Sequence, residues 1–424
     1  MPTRAIRAAS TSASVAPAQR GKEATRVLGR ENPRSDRFAT QEFHHVEFYC
    51  GDALTCSKRY GWGLGLNAVA KSDQSTGNAH YASYVMRSKD VRFVCTAPYS
   101  SKVDLEGSRV PMPNFDQENA RQFFNAHGLG VRALGIRVEN AREAYEQSVK
   151  NGAVPVMEPI ELQDELGDMT VAEVQLYGDV VLRYVSGDFQ GEYMPGYTNT
   201  EVKKPHTWGP SRIDHAVGNV YNLAKTVDYI SKFTGFHEFA EFTAKDVGTE
   251  NSGLNSVVLA NNDEKILLPV NEPTYGTRRK SQIQMFLEQN EGPGLQHIAL
   301  MTDDIFETLR EMRERSDMGG FEFMPSPPPT YYERMPKRLG DSLTPEQYKA
   351  CEELGILGDK DDQGVLLQIF TRPLGDRPTF FIEIIQRIGC MEDGIQRGGC
   401  GGFGKGNFSE LFRSIEIYEE QLKV

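Results

Sequence analysis

At four places along the chain, alternating apolar and polar positions give way within a few residues to a helical spacing. FHHVEFYCGDALTCSKRYGWGLG opens the first of these units and VRALGIRVENAREAYEQSVKNGA the second. RIDHAVGNVYNLAKTVDYISKFTGF opens the third, and LQHIALMTDDIFETLREMRERSDMGGFEF the fourth. Period two marks a strand with one buried face, whereas a spacing such as Ile305, Leu309 and Met312 marks an amphipathic helix. Behind the helices come short strand candidates, including AEVQLYGDVVLRYVS, LNSVVLA with KILLPV, and VLLQIF with TFFIEII, parted by Gly, Asn, Asp or Pro turns. The unit is therefore one strand, one helix and about three antiparallel strands, an α+β pattern. A curved sheet of this kind leaves edges that a second unit can cover. Four βαβββ modules then pair into two open barrels.

This spacing divides the chain into an N-terminal segment, 1–38, a first barrel, 39–190, a Gly- and Pro-rich linker, 191–210, and a second barrel, 211–424. The stretch GGFEFMPSPPPTYYERMPKRLGDSLTPEQYKACEELGILGD is expected as an insertion in the fourth unit, a Pro-rich loop with a short helix.

Three charged or titratable side chains interrupt the strand-like runs of the second half: His215 in RIDHAVGNV, His297 in GLQHIAL and Glu383 in FFIEIIQR. Two imidazoles and a carboxylate can hold one divalent metal and leave coordination positions open. Taken singly, each residue also fits a satisfied core position, with Glu383 paired to Arg387. The repeat changes that balance. The first half keeps His45 in FHHVEFY but has Ala133 where GLQHIAL has His297, and Arg183 where FFIEIIQ has Glu383. One half reads as a metal site and the other as its lapsed copy. No HExxH motif accompanies the triad, which favours iron or a Lewis-acid metal over a zinc hydrolase.

Gln368 stands inside the apolar run VLLQIF, and Gln296 adjoins His297. Ser256, Asn271 and Gln282 are expected in strands or at their ends. Buried amides need partners, so neutral polar side chains around a metal suggest an organic ligand with hydroxyl or carbonyl groups. Ser256 and Asn271 fit turn positions equally well. Phe370 and Phe381 could clamp an aromatic ring or simply pack the core. At the C-terminal end, a glycine-rich hinge precedes a helix that Asn407 can cap and Glu410 can complete as a capping box. Its apolar face, Phe408, Leu411, Phe412 and Ile415, could close over a cavity or dock permanently.

With 424 residues, 39% hydrophobic and 25% charged, and a formal charge of -12, the chain reads as globular, with neither nucleic acid nor membrane as a partner. Six cysteines without CxxC spacing point to a reducing compartment. The Ala-, Ser- and Arg-rich N-terminal segment fits an organellar transit peptide or a disordered basic arm equally. The expected location is the cytoplasm, or the chloroplast if that segment is a transit peptide.

STGN with DVRFVCTAPY, IDHAVGNV, GLQHIAL, LLQIFTRP, FFIEIIQR and GCGGFGKGNFSELF together resemble the 4-hydroxyphenylpyruvate dioxygenases of plant or algal type, within the vicinal oxygen chelate fold. The resemblance runs from about Phe43 to Tyr418. It implies one Fe(II) per subunit on His215, His297 and Glu383, in a catalytic second barrel beside a non-catalytic first. It implies substrate contacts or catalytic roles for Ser256, Asn271, Gln282, Gln296 and Gln368, and substrate contacts for Phe370, Phe381, Phe403, Asn407, Phe408 and Phe412. The implied reaction converts 4-hydroxyphenylpyruvate and O2 to homogentisate and CO2, with no 2-oxoglutarate or nicotinamide, in tyrosine catabolism and plastoquinone or tocopherol precursor synthesis. Such enzymes work as dimers or tetramers, and a homodimer is expected. The rival readings are benzylic hydroxylation of the same substrate, as in hydroxymandelate synthases, an extradiol dioxygenase, and a metal-free binding protein on the same barrels.

Overall fold

The chain folds, in a computed structural model that describes residues 32–418 apart from 244–252, 277–279, 393–394, 408–409, 412 and 416, around two strongly curled sheets. The first module consists of β1 (Thr40–Tyr49), α1 (Ala53–Leu64), β2 (Asn67–Ser72), β3 (Tyr81–Ser88) and β4 (Val91–Pro98). Helix α2 (Gln117–His127) leads to the second module, β5 (Gly130–Val138), α3 (Ala141–Lys150), β6 (Pro155–Asp164), β7 (Gly167–Tyr177) and β8 (Val180–Gly187), followed by the short β9 (Thr198–Asn199). The third has β10 (Pro210–Asn219), α4 (Leu223–Thr234), β11 (His237–Phe242), β12 (Leu254–Ala260) and β13 (Leu267–Pro273), with α5 (Gln282–Gln289) after it. The fourth has β14 (Gly294–Thr302), α6 (Ile305–Ser316), an insertion with α7 (Pro329–Leu339) and α8 (Pro345–Leu354), then β15 (Leu357–Lys360), β16 (Gly364–Phe370) and β17 (Phe381–Gly389).

The same local device starts the helix of every module. Asp52, Asn140, Asn222 and Asp304 lie in extended backbone just past the first strand, and each side chain accepts a backbone N–H of the first helical turn. An oxygen there satisfies a donor that the helix cannot, and it stops the strand from running on. Within each module the first strand pairs in parallel with the last, and modules join antiparallel through their first strands, β1 with β5 and β10 with β14. The sheet orders are β6-β7-β8-β5-β1-β4-β3-β2-β9 and β11-β12-β13-β10-β14-β17-β16-β15. Both are the expected βαβββ pairs curled into half-barrels.

Four features differ from the sequence expectation. Helix α2 has its own Asp116 cap and was not anticipated. SQIQMF, expected in a strand or at its end, instead begins α5: Ser281 accepts the Ile283 N–H, and Ile283, Phe286 and Leu287 bury one helical face. The insertion holds two helices rather than one. Pro329 is tolerated in the first turn of α7, where its missing N–H costs nothing, and a Thr344–Gln347 capping box starts α8. Between the sheets, in the linker, Thr198–Asn199 pairs with β2 and Tyr193 is buried. Lastly, Cys390 and Cys400 are disulfide-bonded, a pairing their spacing gave no reason to expect; a two-stranded turn, Met391–Glu392 with Ile395–Gln396, brings them together. The N-terminal arm before Asn32 lies outside the described residues. Among those described, no helix is long and apolar enough to cross a membrane.

Candidate metal centre and its cavity

His215 comes from β10, His297 from β14 and Glu383 from β17, three adjacent strands of the second sheet. Register places them on one face: His215 lies opposite Ala299, two residues beyond His297, and Ala299 lies beside Glu383. All three are buried, and their ligand atoms lie within 4.8 Å of one another. His215 Nε2 is 3.0 Å and His297 Nε2 3.4 Å from Glu383 Oε2.

The other ring nitrogens show what this arrangement needs. His215 Nδ1 donates to Asp214 Oδ2 at 2.9 Å, and His297 Nδ1 donates to Gln296 Oε1 at 3.0 Å. With the protons held on Nδ1, both Nε2 lone pairs converge on a carboxylate, an arrangement that calls for a cation between them. The donor set therefore fits a divalent metal. Burial opposes the charge on Glu383, yet positive charge at the two imidazoles beside it, the charge a metal would bring, holds its carboxyl down to about 2. Burial also opposes charging His215, but Glu383 and Asp214 shift it upward; His297 is shifted downward by burial. Arg387, the rival partner for Glu383, instead binds Asp214 through two hydrogen bonds of 2.7 and 3.0 Å.

The same register occurs in the first sheet without the ligands. His45 lies opposite Gly135, and Gly135 lies beside Arg183. Arg183 donates to His45 Nε2 at 3.0 Å and pairs with Glu47 at 2.7 Å and Glu173 at 2.6 Å, all of them buried. A guanidinium thus supplies the positive charge itself. That sheet lines a cavity of about 500 Å³, against about 50 Å³ of free space beside the triad, but of these two only the smaller has the converging ligand atoms.

The small cavity is lined by His215, His297 and Glu383, by the neutral polar residues Ser256, Asn271, Gln282, Gln296 and Gln368, and by Phe370, Phe381, Phe403, Leu411 and Ile415 among other apolar groups. Gln282 Oε1 and Gln368 Oε1 are buried and make no hydrogen bond. Buried acceptors in that state are costly unless a ligand or water completes them. Phe381 stacks on His297 with centroids 4.7 Å apart and planes at 17°, and Phe370 meets Phe381 nearly edge-on at 6.0 Å.

Comparison with known proteins places this geometry. Residues 212–349 match the Glyoxalase/Bleomycin resistance protein/Dioxygenase superfamily. Across 93% of the chain and 91% of the relative, it is 59% identical to the 4-hydroxyphenylpyruvate dioxygenase of Arabidopsis thaliana. The chain belongs to the 4-hydroxyphenylpyruvate dioxygenase family. The Daucus carota enzyme of that name is also 59% identical, over 93% of this chain and 90% of its own length. A solved 4-hydroxymandelate synthase variant from Streptomyces coelicolor superposes with a TM-score of 0.73 over 90% of this chain and 99% of its own, at 22% identity, and so shares the fold. Membership makes the chain an oxidoreductase of a metal-dependent superfamily, and the triad is where a metal fits.

For this dioxygenase family member, most residues singled out in the sequence meet at one cavity. Ser256 and Asn271 are partners across β12 and β13, not turn residues. Gln282 reaches the cavity from the first residue of α5, not from a strand. Asn407 is buried but does not line the cavity; its Oδ1 accepts the Tyr331 hydroxyl at 2.7 Å. Phe408 and Phe412 lie outside the described residues. The described positions between 410 and 418 are helical, and Leu411 and Ile415 face the cavity. Asp214 was not singled out in the sequence, although it is a charge within a strand-like run, and Arg387 was considered only as a partner for Glu383, whereas it binds Asp214.

Proposed function

We propose that the chain converts 4-hydroxyphenylpyruvate and O2 to homogentisate and CO2, using one ferrous ion held by His215, His297 and Glu383. The observation that carries this reading is the convergence of two Nε2 lone pairs and a carboxylate in a buried cavity walled by neutral amides and phenyl rings, in a chain 59% identical to a named relative. His215, His297 and Glu383 would hold a ferrous ion, which would supply open positions for the 2-oxo acid and O2 and the redox capacity for oxygen activation. The protein's part is placement. Ser256, Asn271 and Gln282 offer neutral hydrogen-bonding groups suited to a phenol, and none adds a charge that would compete for the oxo acid. Phe381, stacked on His297, and Phe370, edge-on to that ring, would fix the ring plane and so decide which carbon is oxidised.

Free space of about 50 Å³ is far below the roughly 300–1,000 Å³ of clefts that hold organic ligands. The segment carrying Phe403, Leu411 and Ile415 must therefore shift to admit substrate and return to exclude water. The test is metal removal and replacement. Chelated protein should lose substrate-dependent oxygen uptake and regain it with ferrous ion but not with zinc. Uptake that survives chelation, or returns equally with zinc, would overturn the reading.

A further inference from the structure

Arg387 connects two parts of the molecule that the reaction needs together. Its Nε and Nη2 clasp the two oxygens of Asp214, and its Nη1 donates to the carbonyls of Cys400, at 2.5 Å, and Gly402, at 2.7 Å. Asp214 in turn accepts from His215 Nδ1. The Arg387 and Asp214 side chains are fully buried, so this fork is shielded from solvent. A second tie runs alongside it: the guanidinium lies 5.6 Å from the centre of the Phe403 ring, and Phe403 meets the His215 ring edge-on at 5.3 Å. The glycine-rich turn is seated tightly against β16, where a Cβ at Gly401 would stand 2.7 Å from the Val365 backbone.

The molecule contains its own control. In the repeat register His45 corresponds to His215 and Arg183 to Glu383. His44 therefore stands where Asp214 does, and Gly187, four residues beyond Arg183, stands where Arg387 does. The barrel without metal ligands also lacks the acid, the arginine and the glycine-rich turn. The pair accompanies the metal site, not the fold.

We propose that Arg387 and Asp214 are positioning residues that couple the seating of the glycine-rich segment after Cys400 to the orientation of the His215 imidazole, so that metal binding and closure of the segment reinforce one another. The proposal rests on the triad being a metal site. Hydrogen-bonding partners of metal ligands typically change metal affinity roughly 10- to 100-fold when altered, and any coupling between two sites must act in both directions.

The test uses the full-length chain, freed of metal and titrated with cobalt(II), whose visible absorption reports binding without substrate or oxygen. Trypsin cleavage after the exposed Lys405 reports seating of the segment. In the wild type, cobalt should slow that cleavage. D214N and R387K should each weaken cobalt binding by roughly 10- to 100-fold, and in R387K saturating cobalt should no longer protect Lys405. The double variant D214N/R387M removes both buried charges and keeps the experiment informative if a single variant fails to fold by circular dichroism. Unchanged cobalt affinity in folded variants would overturn the positioning role. Cleavage in the wild type that ignores cobalt would overturn the coupling, whatever the variants do. Wild-type protein that binds no cobalt would overturn both this proposal and the metal site beneath it. Failure of the first two kinds leaves the substrate assignment untouched, since no substrate enters the experiment.

Discussion

Glu383 sits among Phe381, Ile382, Ile384 and Ile385 with two imidazole nitrogens facing it, a setting in which a lone carboxylate would be costly and a metal-bound one is stable. Glu383→Gln keeps the shape and removes the charge, so dialysed protein should lose most of its iron and its turnover while the circular dichroism spectrum stays unchanged. Iron retained at wild-type content would argue against Glu383 as a ligand. Gln282 makes the opposite kind of prediction. Its orphaned Oε1 faces the cavity from α5 and not from the metal, so Gln282→Leu should retain iron. Loss of one hydrogen bond to a buried phenol costs about 1–3 kcal/mol, or roughly a 10- to 100-fold slower turnover if it is felt in the transition state. Wild-type kinetics and products would remove Gln282 from the site. The triad was legible because each ligand interrupts a hydrophobic run and the first barrel shows the same run without it. The pairing of Asp214 with Arg387 was not, because 173 residues separate them and neither run hints at the other.

At the scale of elements, legibility followed local chemistry. Strand-then-helix order was readable because period two gives way to a helical spacing in every module, and the structure adds an Asp or Asn cap at each change. Gln282 was misassigned because SQIQMF satisfies both periods over so few residues, and the Ser281 cap decides the outcome. Only one of the two insertion helices was expected, because prolines mark loops as often as first turns. The glycine-rich turn shows how closely one element limits another. Gly404 has a φ of +70°, and a Cβ there would stand 2.4 Å from Gln368 Oε1. Gly404→Ala should therefore displace Gln368 and lower turnover while iron content stays near that of the wild type; equal turnover would show that the turn yields easily. Removing the chain from Gly402 onward leaves every metal ligand in place but deletes Phe403, Leu411 and Ile415. Oxygen uptake should then exceed homogentisate formation, and a parallel loss of both would mean the segment is needed for substrate binding itself.

Over the whole molecule, the two sheets are joined by contacts that no repeat pattern announces. His127, at the end of α2, bonds through Nδ1 with the Asn290 carbonyl after α5 and through Nε2 with Asp179 at 2.9 Å. Burial opposes its charge, but Asp179 and the Asn290 carbonyl raise its pKa above the usual 6.5. A raised folded pKa stabilises the fold fully below the unfolded value and loses that contribution as pH climbs through the folded one. The denaturation midpoint should accordingly fall between about pH 6 and pH 8 more in the wild type than in His127→Gln; equal shifts would mean that His127 does not titrate in the native state. Asp179 is largely exposed, so the effect should be small. The duplicated architecture puts a guanidinium in one centre and the triad in the other, and the proposed function assigns the chemistry to the second barrel. The most direct test is a single reaction of ferrous-loaded full-length protein with 4-hydroxyphenylpyruvate and 18O2. Homogentisate and CO2 in equal amounts, with one labelled oxygen in the ring hydroxyl and one in the new carboxylate, is the predicted result; 4-hydroxymandelate as the product, or homogentisate without label, would contradict the account.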